Sequence, residues 1–336
     1  MSESPAIRTV YAPAYHAIGG LLSPWMGFEA FTRAFAFAAA GALIAGFRSF
    51  QRAAKLPDAA TALFAWSPYA FALTWCIPKI EAAGYAIAFW GLGCLLARRH
   101  VALGLAVIAA FAFHTAAGFF LGLGGGVMAL ARRDFRSLSA LTAGAALASP
   151  LFAAHLAAGC SIAQSFLLSS GDYLRQARSA SSLDRWDQIL VLAGPIGLAA
   201  AVVGASSLWR LDRSLAYLCA LVVALYSNEL WLAPFGAGTT LNLLRGLTLL
   251  AFATAICGGV ALATRPRVAA LVLCSCVVWT AGAAVWMVPQ ACFVRSFSEA
   301  EIGSIKVDRC TFRWRKAGPR PPEAEAETQP PRRSRR

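Results

Sequence analysis

The side chains of this 336-residue chain that are able to do chemistry are few, and most sit in or beside apolar runs. Glu29, Glu81 and Glu229 offer carboxylates, the groups that serve as a general base or as a counter-ion. Tyr15, His16, Arg33, Lys79, His114, His155 and Arg245 offer hydroxyl, imidazole and cationic groups suited to binding an anion or a sugar hydroxyl. An ionisable group at membrane depth costs on the order of 2.5–3.5 kcal/mol even on the most lenient scale, so such groups usually line a cavity or a pathway. Arg245, four residues into the apolar run LNLLRGLTLL, has no acid one helical turn away. It requires a counter-charge from elsewhere, either Glu229 or an anionic ligand such as a phosphate. Glu29 and Arg33 stand four apart in the favourable order and either neutralise each other or serve the site. Lys79 and Glu81 read as site residues or as interfacial groups that snorkel, and His155 as a ligand or as a core residue.

These groups need elements to hold them, and composition names the class. Hydrophobic residues make up 58% of the chain, charged residues 14%, and the mean hydropathy is +0.60. That is too few charges to clothe a soluble domain of this length, so the expected fold is all-α, a polytopic integral membrane helix bundle. The net charge of +14 is explained by membrane-proximal turns and a basic tail rather than by nucleic-acid binding. Membrane lipids are the implied surroundings, and a plasma (inner) membrane the implied location.

The stretch 101–131, VALGLAVIAAFAFHTAAGFFLGLGGGVMALA, organises the rest. Arg98, Arg99 and His100 precede it and Arg132, Arg133 and Arg136 follow, so by the positive-inside rule both ends are cytoplasmic. The stretch must go out and return. Splitting it at His114 leaves arms of 13 and 17 residues, roughly 20 and 25 Å against a hydrocarbon core of about 30 Å, with His114 at the floor of an outward-opening cavity. A single tilted helix with a buried histidine is the competing reading.

The same logic places full spans at 27–47, 59–77, 82–97, 137–158, 189–208, 214–232, 241–263 and 268–288, about ten membrane segments with the two arms. Residues 1–26 read as an outer interfacial segment, 27–289 as the transmembrane domain, and 290–336 as a basic tail, disordered in part. On this path the cytoplasmic loops carry twelve Lys and Arg and the outer loops four. Glu29, Lys79, Glu81, His114, His155, Glu229 and Arg245 then fall on the outer side. Cys292 and Cys310 fall in a tail placed outside, where a disulfide between them would persist.

No soluble-enzyme motif survives. GLGGG at 122–126 lies in an apolar span without a preceding strand and reads as close helix packing through small residues. There is no H-E-x-x-H, no G-x-S-x-G, no C-x-x-C among the nine cysteines, and no metal site built from Cys.

YAPAYHAIGGLLSPWMGFEAFTRAFAF resembles the Y-P-P-x-Y pattern, followed by an apolar helix, a short loop and an Arg-containing helix, of polytopic glycosyltransferases of the GT-C superfamily. FAFHTAAGFFLGL and LNLLRGLTLLAFATA are similar to that superfamily's His-tipped hairpin and late Arg-led helix, and the resemblance spans roughly 11–265. It implies transfer of a sugar from a polyprenyl-phosphate donor on the extracytoplasmic face, an outer carboxylate as base and, in some members, a divalent metal. Lys79 and Arg245 would hold the lipid phosphate, with Tyr15 and His16 near the acceptor. In that superfamily the acidic first outer loop precedes the tyrosine motif, whereas here only ten residues do. The expectation is an N-terminally truncated chain, or Glu29, Glu81, Asp172 or Glu229 in the role of base. A membrane transporter or lipid carrier using the same polar groups is the alternative, although neither an internal repeat nor polar residues continuing to the inner side are seen.

Overall fold

The computed structural model describes residues 13–71, 80–157, 186–232, 243, 246–263 and 265–290, the side chains of 80, 152–157, 187–188 and 286–290 excepted. Among the described residues every regular element is a helix. Two of them, Phe28–Ala53 and Pro266–Val285, are long and apolar enough to cross a membrane. Six further apolar helices are shorter, from Glu81–Leu96 to Leu247–Leu262, so the expected ten segments are met in helical character but not in spanning length.

The chain opens with α1 (Pro13–Met26), expected as an interfacial segment, and α2 (Phe28–Ala53), which carries Glu29 and Arg33 in its first two turns. The expected span 59–77 is instead two pieces, α3 (Asp58–Ala65) and α4 (Pro68–Phe71). Pro68 cannot donate a backbone hydrogen bond, so the helix ends before it. The orphaned Trp66 carbonyl accepts from the Thr280 hydroxyl at 2.6 Å.

α5 (Ile80–Leu96), α6 (His100–Phe113) and α7 (Thr115–Ala131) follow. His114 is extended, with φ −159° and ψ 112°, and ends α6 while starting α7. The split is therefore where the sequence places it, and the single long helix is excluded. The arms fold back on each other. A Cβ built on Gly91 of α5 would meet Leu121 at 2.7 Å and Ala106 at 3.0 Å, residues seven after and eight before the break. A Cβ on Gly118 would meet the Phe111 ring at 2.5 Å, so the arms touch one turn below the tip. Within GLGGG, Gly124 faces Leu218 and Gly125 faces Leu141, the close packing expected of small residues.

α8 (Phe135–Ala157) carries His155 in its last turn. The expected span 189–208 is again broken, into α9 (Trp186–Ala193) and α10 (Pro195–Leu211). Gly194 between them is left-handed at φ 72°, a conformation that glycine enters without steric cost. α11 (Arg213–Tyr226), α12 (Asn228–Leu232), α13 (Leu247–Leu262) and α14 (Pro266–Gln290) complete the bundle.

α13 is the buried centre, and the core around it is aromatic. Phe252 stacks on Phe89 at 4.6 Å and meets Phe47, Phe50 and Phe120, while Phe47 stacks on Phe64 at 4.3 Å. Such ring pairs add about 0.5–1.5 kcal/mol each beyond the area they bury. They tie α2, α3, α5, α7 and α13 into one unit.

Candidate functional site

Tyr69, Tyr85 and Tyr226 stand with Glu81 and Glu229 at helix ends away from the arginine turns. Glu81, in the first turn of α5, accepts a hydrogen bond from the Tyr69 hydroxyl of α4 at 3.3 Å. One turn along α5, the Tyr85 ring lies 5.8 Å from that of His114 at the hairpin tip. Tyr69 is buried with Leu247, against Leu192, Ala193, Tyr226 and Leu250, in a small cluster apart from the main core. Tyr226 ends α11 and is within electrostatic reach of Glu229, three residues on in α12. Tyr69 thus bridges Glu81 to the cluster in which Tyr226 lies near Glu229, while Tyr85, one turn after Glu81, meets His114.

Glu229 is buried, and its Oε2 accepts from the backbone N–H of Leu243 at 2.8 Å. The carboxylate thus ties α12 to Leu243, four residues before α13 begins. Glu229 is buried on a backbone amide, whereas Glu81 is half-buried and faces a hydroxyl donor. A half-buried carboxylate keeps the access to solvent and ligand that proton transfer requires.

The N-terminal candidates form a rim of their own. Tyr15 lies half-buried, its ring 5.4 Å from Phe31 and 4.8 Å from Phe35, and Phe35 stacks on Phe113 beside His114. His16 packs edge-on against Tyr15 and is exposed. Glu29 and Arg33 pair with each other at 2.5 Å, with side chains 79% and 75% exposed. An exposed pair of this kind contributes little to stability and leaves both groups open to a ligand. Lys79, Asp172, Arg245, Cys292 and Cys310 lie outside the described residues, as does the side chain of His155.

The opposite end is built from arginine turns. α2, α5 and α7 each finish with a basic residue in the left-handed region, Lys55, Arg98 and Arg133, at φ near 55°. The hydrogen bonds Leu56 to Gln51, Arg99 to Cys94 and Asp134 to Ala129 close all three ends in the same way. Arg132 donates to Asp212 Oδ2 at 2.5 Å and to Ser214 Oγ at 2.7 Å, tying the end of α7 to the start of α11. Ser137 is fully buried, donates to Asp134 at 2.7 Å and meets His100 Nδ1 at 3.3 Å, joining the α5–α6 and α7–α8 turns. The Ser137 hydroxyl holds the Asp134 carboxyl below its ordinary range, aided by the Ser137 amide, His100 and Arg98 against the cost of burial. The serine proton goes to the aspartate, so this trio is a loop clasp and lacks the geometry of a nucleophile and its base.

Tyr69, Tyr85 and Tyr226 escaped the sequence reading, although two carried a signal. Tyr85 stands four after Glu81 and Tyr226 three before Glu229, the spacings that share a helix face. Among the described residues no three His, Cys, Asp or Glu are grouped to hold a metal ion, so no step is assigned to one. No protein-family model, curated protein or solved structure matches the chain.

Proposed function

We propose that the chain is a multi-pass protein of the plasma (inner) membrane and that its tyrosine and carboxylate end faces the extracytoplasmic side. There it acts as a glycosyltransferase, moving a sugar from a polyprenyl-phosphate donor to an acceptor hydroxyl. The observation that carries this reading is the separation of charge between the two ends. α5 runs from Glu81 to the turn at Arg98, α7 from His114 to Arg133, and α11 from Asp212 to Tyr226 beside Glu229. Arginine turns favour the cytoplasm, which leaves Glu81 and Glu229 outside while Asp58, Asp134 and Asp212 neutralise part of the inner charge.

Glu81 takes the proton of the acceptor hydroxyl as that oxygen attacks the anomeric carbon. The bond from that carbon to the phosphate oxygen breaks, and the lipid phosphate leaves with the electron pair. Arg245 meets its charge, on the segment that Glu229 anchors through the Leu243 N–H. Tyr15 and His16, on the rim beside the hairpin tip, contact the acceptor.

A carrier that moves a lipid-linked substrate without chemistry is the second reading. The broken helices α3–α4 and α9–α10 favour it, since interrupted spans line substrate sites in transporters. The test is binding and transfer by the purified full chain with a polyprenyl-phosphate-linked sugar. Arg245→Gln should weaken donor binding by about tenfold or more, the loss expected for a charge-assisted hydrogen bond, and Arg245→Lys by less. Glu81→Gln should leave donor binding in place and abolish transfer. Unchanged affinity in folded Arg245→Gln overturns the phosphate role. Facilitated flipping by the wild-type chain without transfer selects the carrier.

A further inference from the structure

Three turns at the arginine end are tied into one surface. Arg132 holds Asp212 and Ser214 at the start of α11, and the Ser137 hydroxyl, between Asp134 and His100, joins the α7–α8 turn to the α5–α6 turn. The segments 98–100, 132–137 and 210–214 carry seven arginines against two aspartates. Both aspartates are already engaged, Asp134 by the Ser137 amide and hydroxyl and Asp212 by Arg132 and Ser214. Arg98, Arg99, Arg133, Arg136, Arg210 and Arg213 are exposed, and among the described residues none of the six pairs with a carboxylate. Arg136 and Arg213 stand in the first turns of α8 and α11, where the positive end of the helix dipole adds to their charge. Such a surface draws an anionic partner, and the hydrogen bonds between the turns hold its groups in place beforehand.

The residues set between the arginines identify the kind of partner. Phe135 is 67% exposed between Asp134 and Arg136, and Leu211 is 65% exposed between Arg210 and Asp212. The exposed rings of Trp209 and Tyr217, on either side of that second turn, pack edge-on at 5.2 Å. Trp and Tyr collect at the head-group level of a bilayer, and apolar side chains alternating with basic ones lie in its interface. A phosphate joined to acyl chains meets both kinds of group, whereas a soluble phosphate ester meets the arginines alone.

We propose that this surface binds an anionic phospholipid of the cytoplasmic leaflet, with the phosphodiester on the arginines of the α7–α8 and α10–α11 turns and the chains against Phe135, Leu211 and Trp209. The site lies at the arginine end, away from Glu81 and Glu229, so the lipid held there is distinct from a sugar donor. The proposal rests on the membrane reading above but not on sugar transfer, and its test needs no sugar.

The purified full chain in detergent is titrated with dioleoyl phosphatidylglycerol or dioleoyl phosphatidylcholine, and native mass spectrometry reads the lipid bound. Phosphatidylglycerol should bind at least about tenfold tighter, with its first copy saturating ahead of the rest. Arg133→Gln with Arg213→Gln should weaken that first copy roughly ten- to thirtyfold, the loss expected for two cations beside an anionic head group. Arg136→Gln with Arg210→Gln provides a second removal that leaves the start of α11 untouched. Arg52→Gln with Lys55→Gln removes equal charge at the α2–α3 turn, outside the clasp, and should weaken binding less than about threefold. Equal losses from the clasp and α2–α3 variants would reveal a diffuse field and overturn the site. Displacement of the lipid by millimolar glycerol 1-phosphate would assign the surface to soluble phosphate esters and overturn the lipid. Release of the chain from vesicles by an alkaline wash would overturn the membrane reading and this proposal with it, whereas failure of the lipid contrast alone overturns only the proposal.

Discussion

Asp212 carries two duties with one carboxylate. Its Oδ1 accepts from the Ser214 and Leu215 N–H groups at 2.8 and 3.3 Å and so caps α11, and its Oδ2 accepts from Arg132 across the bundle. Burial pushes its pKa up, but the Ser214 hydroxyl, Arg132 and the two amides outweigh burial and hold it below the ordinary value. A depressed carboxylate pKa adds stability above the unfolded value of about 3.9 and loses it as pH falls from there through the folded value. Asp212→Asn, which keeps the cap but not the charge, should therefore lower stability at pH 7 by roughly 1 kcal/mol after solvent screening. Thermal melts of both proteins should converge once the pH falls below the folded value. A difference that persists in acid would mean the pair with Arg132 contributes nothing. Arg132 is consequently more than an insertion signal, which is all that its place in a basic cluster predicts. Glu229 and Glu81 divide in the same manner, since identical side chains acquire different roles once one is buried on an amide and the other faces a hydroxyl.

Helices here meet through missing side chains and end on basic ones. A Cβ on Gly204 of α10 would run into the Cys257 carbonyl of α13, and one on Gly46 of α2 into the Ala86 carbonyl of α5. Backbone cannot yield as a flexible side chain does, so Gly204→Ala and Gly46→Ala should each cost more than about 3 kcal/mol. Gly41→Ala and Gly122→Ala, where a Cβ meets nothing within 4 Å, should gain about 0.5–1 kcal/mol. Urea or thermal unfolding of the four variants separates these outcomes, and equal effects would contradict the helix contacts described. The helix ends give a second contrast. Arg98 sits at φ 56°, where a residue with a Cβ loses about 1–2 kcal/mol relative to glycine. Arg98→Gly should thus stabilise the fold modestly while Arg98→Val destabilises it. A cation at this position also favours the helix C-terminus, which offsets part of that cost.

At the scale of the molecule, the arginine turns and the acidic cluster make a bundle with two chemically different ends. Single cysteines placed in a Cys-free background test which end is outside. Cysteines at Ser182 and Gly238 should react with a membrane-impermeant maleimide on intact cells, and one at Ser49 should not until the membrane is opened. Labelling at Ser49 would invert the bundle and move Glu81, Tyr69 and Glu229 to the cytoplasm. The short apolar helices bear on the same question. α6 has 14 residues, about 21 Å of helix, and reaches less than the hydrocarbon thickness. Its tip at His114 is covered by protein instead, packed against Gly84 and Tyr85 of α5.

The sequence by itself determined the all-helical class and the basic ends of the helices, favoured the break at His114 over a single helix, and left open whether Glu29 pairs with Arg33. Those depend on local composition, on i, i+4 spacing and on the absence of charge from long runs, all of which are properties of neighbouring residues. It did not disclose the broken helices at Trp66 and Gly194, because hydropathy runs smoothly through an apolar interruption whose freed carbonyls are met by residues 88 and 214 positions away. Nor did it place Tyr69 on Glu81 or the Leu243 amide on Glu229. Only the tertiary structure decided which of Glu81 and Glu229 is buried on backbone and which faces a hydroxyl, since that choice rests on how α4, α5, α11 and α12 converge on a few buried side chains. The contact between the breaks at Pro68 and Gly194, where a Cβ on the glycine would lie 2.9 Å from the proline ring, belongs to the same category, since each interruption alone leaves no mark on the sequence.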